Sequence, residues 1–98
     1  MYLKVTEREG KTVVAACDNE LIGQVFEEGD AVLDLKTYES FYRGEEATAE
    51  EVAGALADCD SANLVGKEAV RVALEKGLAN EEDVRYIKNV PHLQLYRI

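Results

Sequence analysis

Between residues 2 and 8 apolar Leu3 and Val5 alternate with Lys4 and Thr6, and beyond Glu9-Gly10 the segment Thr12 to Cys17 is apolar and partly β-branched. One run of period two, one continuous apolar run and a glycine between them predict a hairpin whose second strand is the more buried. Asp18-Asn19-Glu20-Leu21-Ile22-Gly23 opens on a capping residue and closes on a helix stop, which fits a single helical turn. Gln24-Val25-Phe26 and Ala31 to Leu35 flank Glu27-Glu28-Gly29-Asp30 and predict a second pair of strands.

The period then changes. Thr48-Ala49-Glu50-Glu51 is a capping box, and behind it Val52, Ala53, Leu56 and Ala57 follow helical spacing as one buried stripe. A second helix is expected from about Val65 to Lys76, stopped by Gly77. It would turn Val70, Ala73 and Leu74 inward and leave Arg71 and Glu75 as an i, i+4 pair outside. Asn80 and Asp83 mark a further capped turn. Val84 to Lys88 and Leu93 to Ile98 read as strands, with Asn89-Val90-Pro91-His92 as the loop between them, where a missing amide donor costs least.

These elements predict an α+β fold: an N-terminal β-hairpin and further short strands, two central helices and two C-terminal strands. A chain of 98 residues has room for one core, so residues 1–98 are expected to form a single compact domain.

Composition adds a charge asymmetry. The net charge is -9 with 32% charged residues, yet residues 1–60 hold 5 basic and 15 acidic side chains and residues 61–98 hold 6 and 5. An acidic, solvated surface suits a salty cytoplasm, and the nearly neutral C-terminal part is where a partner surface is to be sought. No run approaches the roughly 20 apolar residues of a membrane span, and Met1-Tyr2-Leu3-Lys4 lacks the apolar core of a signal peptide. The expectation is a cytoplasmic protein with no membrane partner.

Candidate chemistry is sparse. There is no phosphate loop, dinucleotide fingerprint, His-Glu-x-x-His, Cys-x-x-Cys or nucleophile elbow. Cys17 and Cys59 sit beside alanines and read as small buried hydrophobes, a bridge between them being the alternative. Cys17 with His92 is the one nucleophile-base pair on offer. Cys17, Cys59 and His92 lack the paired local spacing of a zinc site, so no metal and no cofactor is expected. Glu45, Glu46, Glu50 and Glu51 could serve as an acid/base or magnesium cluster, but they sit at a helix start, where they stabilise the macrodipole. Of Lys67, Arg71, Lys76, Arg85, Lys88 and Arg97, only Lys67 and Arg71 share a helix face, diluted by Glu68 and Glu75. Free nucleic acid is therefore not an expected partner, whereas docking into a ribonucleoprotein stays open.

Five segments carry a resemblance: Ala15-Ala16-Cys17-Asp18 followed by Leu21-Ile22-Gly23, Phe41-Tyr42-Arg43-Gly44-Glu45, Ala62-Asn63-Leu64-Val65-Gly66-Lys67, and Val90-Pro91-His92-Leu93-Gln94. In this order they resemble an archaeal family of conserved uncharacterised proteins, domain of unknown function 424, over essentially the whole chain. The sequence departs from that pattern at Asn89, where glycine is expected, and at Leu93, where a small residue is. The resemblance implies an archaeal, cytoplasmic, stand-alone domain and no particular reaction. A hot or salty cytoplasm would also make the Cys17 to Cys59 bridge less remote.

Within the matching segments Asp18 and Asn63 can be caps, while His92 and Gln94 are harder to explain as fold-making residues. His92, Gln94, Asp18 and Asn63 therefore form the candidate functional surface. The leading expectation is a non-enzymatic binding or adaptor protein acting through protein or ribonucleoprotein contacts. The alternative is a small enzyme or small-molecule binder with a pocket around Cys17, Asp18 and His92.

Overall fold

The computed structural model describes residues 1–96. Arg97 and Ile98, the end of the last predicted strand, lie outside the described residues.

Strands β1 (Tyr2–Arg8) and β2 (Lys11–Cys17) form the expected hairpin, with Leu3 opposite Ala16 and Val5 opposite Val14. Its two turn residues, Glu9 (φ 54°) and Gly10 (φ 78°), are both left-handed, the backbone twist that a tight hairpin requires. A 3-10 turn (Asn19–Leu21) leads to β3 (Val25–Glu28) and β4 (Ala31–Asp34), which pair as a separate two-stranded sheet. Next come a short helix α1 (Glu39–Tyr42), a two-residue strand β5 (Glu45–Glu46) and helix α2 (Ala49–Ala57). Strand β6 (Ser61–Val65), helix α3 (Lys67–Glu75), a 3-10 turn (Glu81–Asp83), β7 (Arg85–Ile87) and β8 (Val90–Tyr96) complete the α+β fold.

The six-stranded sheet has the order β5-β1-β2-β6-β8-β7. Only β2 and β6, at its centre, run parallel; every other pair is antiparallel. Because side chains alternate along a strand, the sheet supports two cores. On one face Val14, Ala16, Ala62, Leu64 and Leu93 pack under α2 and α3 against Val52, Leu56, Ala69, Val70 and Ala73. On the other, Ala15, Cys17, Val65, Ile87 and Val90 meet Leu33, Leu35 and Tyr42 from β4, its C-terminal turn and α1.

The capping box forms as predicted: the Glu51 amide donates to Thr48 Oγ1 at 3.1 Å and the Thr48 amide donates to Glu51 Oε1 at 3.0 Å. Of the predicted stripe behind it Val52 and Leu56 are buried and Ala53 half-buried, but Ala57, the last helical residue, is exposed. The second helix begins at Lys67, because Ser61 to Val65 is a central strand that the sequence expectation did not contain. Lys88 (φ 51°) and Asn89 (φ 64°) make a two-residue turn, so Val90, Pro91 and His92 belong to strand β8 and not to a loop. Pro91 is tolerated there because β6 pairs with β8 only from His92 onward, so its missing N–H forfeits no bond to that strand.

Candidate functional site

Asp18 closes the β2 strand at the carboxyl end of the parallel pair, where open α/β sheets commonly bind ligands. Its amide donates to Val65 O at 3.0 Å, and its carboxylate accepts from the α3 amides of Glu68 (3.0 Å) and Ala69 (2.9 Å). The side chain is thus an N-cap for α3 delivered from another element, placed on the positive end of that helix. Gly66, with φ 106°, makes the approach possible, since a Cβ there would overlap the Asp18 carboxyl. Burial raises the pKa of Asp18 above its ordinary 3.8, and the two amide donors act in the opposite direction. A crevice of about 380 Å³ opens over Asp18, Gly66, Arg71 and Pro91. The helix amides that would hold a phosphate there are already taken by the protein's own carboxylate.

Asn63, His92 and Gln94 come together elsewhere, on the face of the sheet away from α2 and α3. Asn63 pairs directly with Gln94 across β6 and β8, and Gln94 Nε2 donates to Asn63 Oδ1 at 3.1 Å. His92, two residues before Gln94 on β8, sits between Val65 of β6 and Arg85 of β7. Its Nε2 is shielded from solvent and bonded to nothing among the described residues. Burial, and then the Arg85 guanidinium, hold its pKa below the ordinary 6.5, so the imidazole is neutral near pH 7. A cleft of about 410 Å³ runs past Asp83, Arg85, His92, Gln94 and Tyr96. A smaller hollow of about 130 Å³ adjoins it beneath Ser61 and Tyr96.

The four residues of the candidate surface thus divide into one capping residue and a cluster of three. The pocket expected around Cys17, Asp18 and His92 is not formed by convergence of those side chains. Cys17 is buried in the core, two strands and about 10 Å across the sheet from His92. Burial, reinforced by Asp18 and Glu20, pushes its thiol up to about 12, which leaves no thiolate for nucleophilic work. Cys59 belongs to the core on the opposite face of the sheet, and the two cysteines are not bridged. Among the described residues no three His, Cys, Asp or Glu side chains gather as metal ligands would, and no helix is long and apolar enough to cross a membrane.

The strand register also adds residues to the cluster, of which only Tyr96, two residues after Gln94, is within reach of sequence spacing. Thr6, Val13, Ser61 and Tyr96 form one row across β1, β2, β6 and β8, and Arg8 and Lys11 pair below it. Tyr96 is 74% exposed. The β3–β4 sheet and α1 cover only the half of this face that contains Cys17, Val65 and Val90, and leave these rows open.

A family model described as a protein of unknown function, DUF424, matches residues 5–98. The chain belongs to the DUF424 family. The fold is similar to that of a solved structure, the crystal structure of an uncharacterized conserved protein from the archaeon Methanopyrus kandleri. It is 26% identical, covers 97% of this chain and 89% of its own, and superposes with a TM-score of 0.79. A search of curated proteins found no match.

Proposed function

We propose that this DUF424 protein is a non-enzymatic cytoplasmic binding or adaptor protein that acts through protein or ribonucleoprotein contacts, and that the open sheet face is its recognition surface. One observation carries the reading: a hydrogen-bonded Asn63–Gln94 pair and an exposed Tyr96 lie side by side, next to the half-buried His92 imidazole, on the half of a sheet face that no other described element covers. Polar side chains in the open half of a face whose other half is an apolar core contribute little to folding and are available for recognition.

Affinity capture from native lysate at physiological salt tests it, with the wild-type chain compared to an Asn63→Ala/Gln94→Ala variant and to a Glu50→Gln control on α2. The expected result is a partner retained by wild type and control and lost by the double variant. Equal recovery by all three proteins would overturn the assignment of the surface, and no enriched partner with any of them would count against the function.

A further inference from the structure

The register of the sheet regroups charge in a way the linear sequence hides. Across the face opposite α2 and α3 the rows read Arg8 with Lys11; Thr6, Val13, Ser61 and Tyr96; Lys4, Ala15, Asn63 and Gln94; and Tyr2, Cys17, Val65, His92 and Arg85. In a chain with 20 acidic and 11 basic residues, these positions hold four cations and no carboxylate; Asp83, which lines the cleft beside Arg85, accepts from the Asn80 amide at 2.9 Å. Glu46, which extends the last row beside Tyr2, is engaged by the N-terminal ammonium and by Asn19. Lys4 is held by the Ser40 carbonyl, whereas Arg8, Lys11 and Arg85 are exposed and take part in no ion pair among the described residues.

We propose that the open half of this face binds a short single-stranded nucleic acid segment, with phosphates on Arg8, Lys11 and Arg85, one base stacked on Tyr96 and a second read by the Asn63–Gln94 pair. This rests on the binding reading above and names the chemistry of the partner. Arg85 stands four strand spacings across the sheet and three rows along it from Arg8, a diagonal of about 27 Å that an extended strand of several nucleotides can follow over Asn63, Gln94 and Tyr96. The amide pair uses one donor and one acceptor internally, which leaves the Asn63 amino group and the Gln94 carbonyl side by side. A base edge offers the matching acceptor and donor, whereas an acidic peptide would face the Gln94 carbonyl with a second acceptor. The flat face with an exposed ring suits unstacked bases and has nothing to enter a duplex groove. Lys67 and Arg71, the candidate cations that share a helix face, are on α3 and play no part.

Fluorescence anisotropy with labelled single-stranded eight-nucleotide RNA and its deoxy counterpart, at low and physiological salt, reads the proposal directly. Because the net charge is -9, binding is expected in the range of roughly 10⁻⁴–10⁻⁶ M and to weaken as salt rises. Tyr96→Ala should weaken it about 5- to 100-fold, with Tyr96→Phe restoring most of the loss. Arg8→Glu/Lys11→Glu should weaken it and flatten its salt dependence, and Lys67→Glu should leave it unchanged. Circular dichroism and thermal unfolding confirm that these exposed-site variants fold. A tighter fit to RNA than to DNA would assign the segment to RNA, and equal binding would extend the same site to both. Absence of saturable binding up to about 1 mM protein, beyond the usual non-specific range, overturns the proposal. So does equal weakening by Lys67→Glu, or equal competition by an oligoglutamate peptide. If the oligonucleotide does not bind while a partner sensitive to Asn63→Ala/Gln94→Ala is still captured from lysate, this inference falls and the adaptor reading stands.

Discussion

The two faces of the six-stranded sheet are built from the same strands, residue by residue in alternation, and they have opposite characters. Under α2 and α3 the buried side chains are apolar, with Val14, Val52, Leu56 and Leu64 at 0% exposure. On the other face an apolar half, sealed by β4 and α1, borders a half made of Thr6, Ser61, Asn63, Gln94 and three exposed cations. One side of the layer is core where the helices cover it, and the other is core over one half and polar over the rest, so a substitution at one position should act very differently from the same substitution at the next.

The sharpest way to break this contrast is to truncate Leu64, on the helix-covered face, and to compare Gln94. Leu64→Ala is expected to cost about 2–5 kcal/mol in denaturant unfolding. A loss below that of Gln94→Ala would end the division into a structural and a functional face. Next in size is Asp18→Ala, which removes the acceptor for two α3 amides and should cost about 1–3 kcal/mol. Amide exchange at Glu68 and Ala69 should quicken more than at Val52, and uniform quickening would show that the cap has no local role.

A pH experiment probes the open face. His92 has a folded pKa held below 6.5, so the unfolded chain binds the proton more readily and the contribution of His92 to stability is present above about pH 6.5 and lost as pH falls through its folded pKa. Unfolding midpoints should therefore drop more between pH 7.5 and 5.5 for wild type than for His92→Gln, and parallel curves would refute the burial of a neutral imidazole. Smallest of all, Gln94→Ala and Tyr96→Ala should change stability by no more than about 0.5 kcal/mol.

Much of the architecture was legible in the sequence, for reasons that are local. The β1–β2 and β3–β4 pairs, the Thr48 capping box and the helix stopped by Gly77 rest on turn chemistry and period within a few residues. Strand β6 was missed because Ser61-Ala62-Asn63-Leu64-Val65 alternates only briefly and has low strand propensity at Ser61, Ala62 and Asn63, and is made a strand by the neighbours that bury it. Pro91 and His92 were assigned to a loop because proline weakens any strand reading, whereas the turn is made by Lys88 and Asn89 just before them. Asn63, His92, Gln94 and Asp18 were named as one surface; the register brings the first three together, whereas Asp18 stands apart and caps α3. Tyr96 follows Gln94 at strand spacing and could have been joined to them, but Arg8 and Lys11 could not, since only the register between distant strands places them on the same face.

The parallel pairing of β2 with β6 also sets the order in which the molecule can assemble. Val13 meets Ser61 and Cys17 meets Val65, so the middle of the sheet closes only after the whole crossover through β3, β4, α1, β5 and α2 has been drawn in. Loop closure of that length is slow beside the two tight hairpins at the ends of the chain, which can form within about 1–10 μs. The expected route is hairpins first and centre last, with φ-values near zero at Leu64 and well above it in β1–β2 as its kinetic signature.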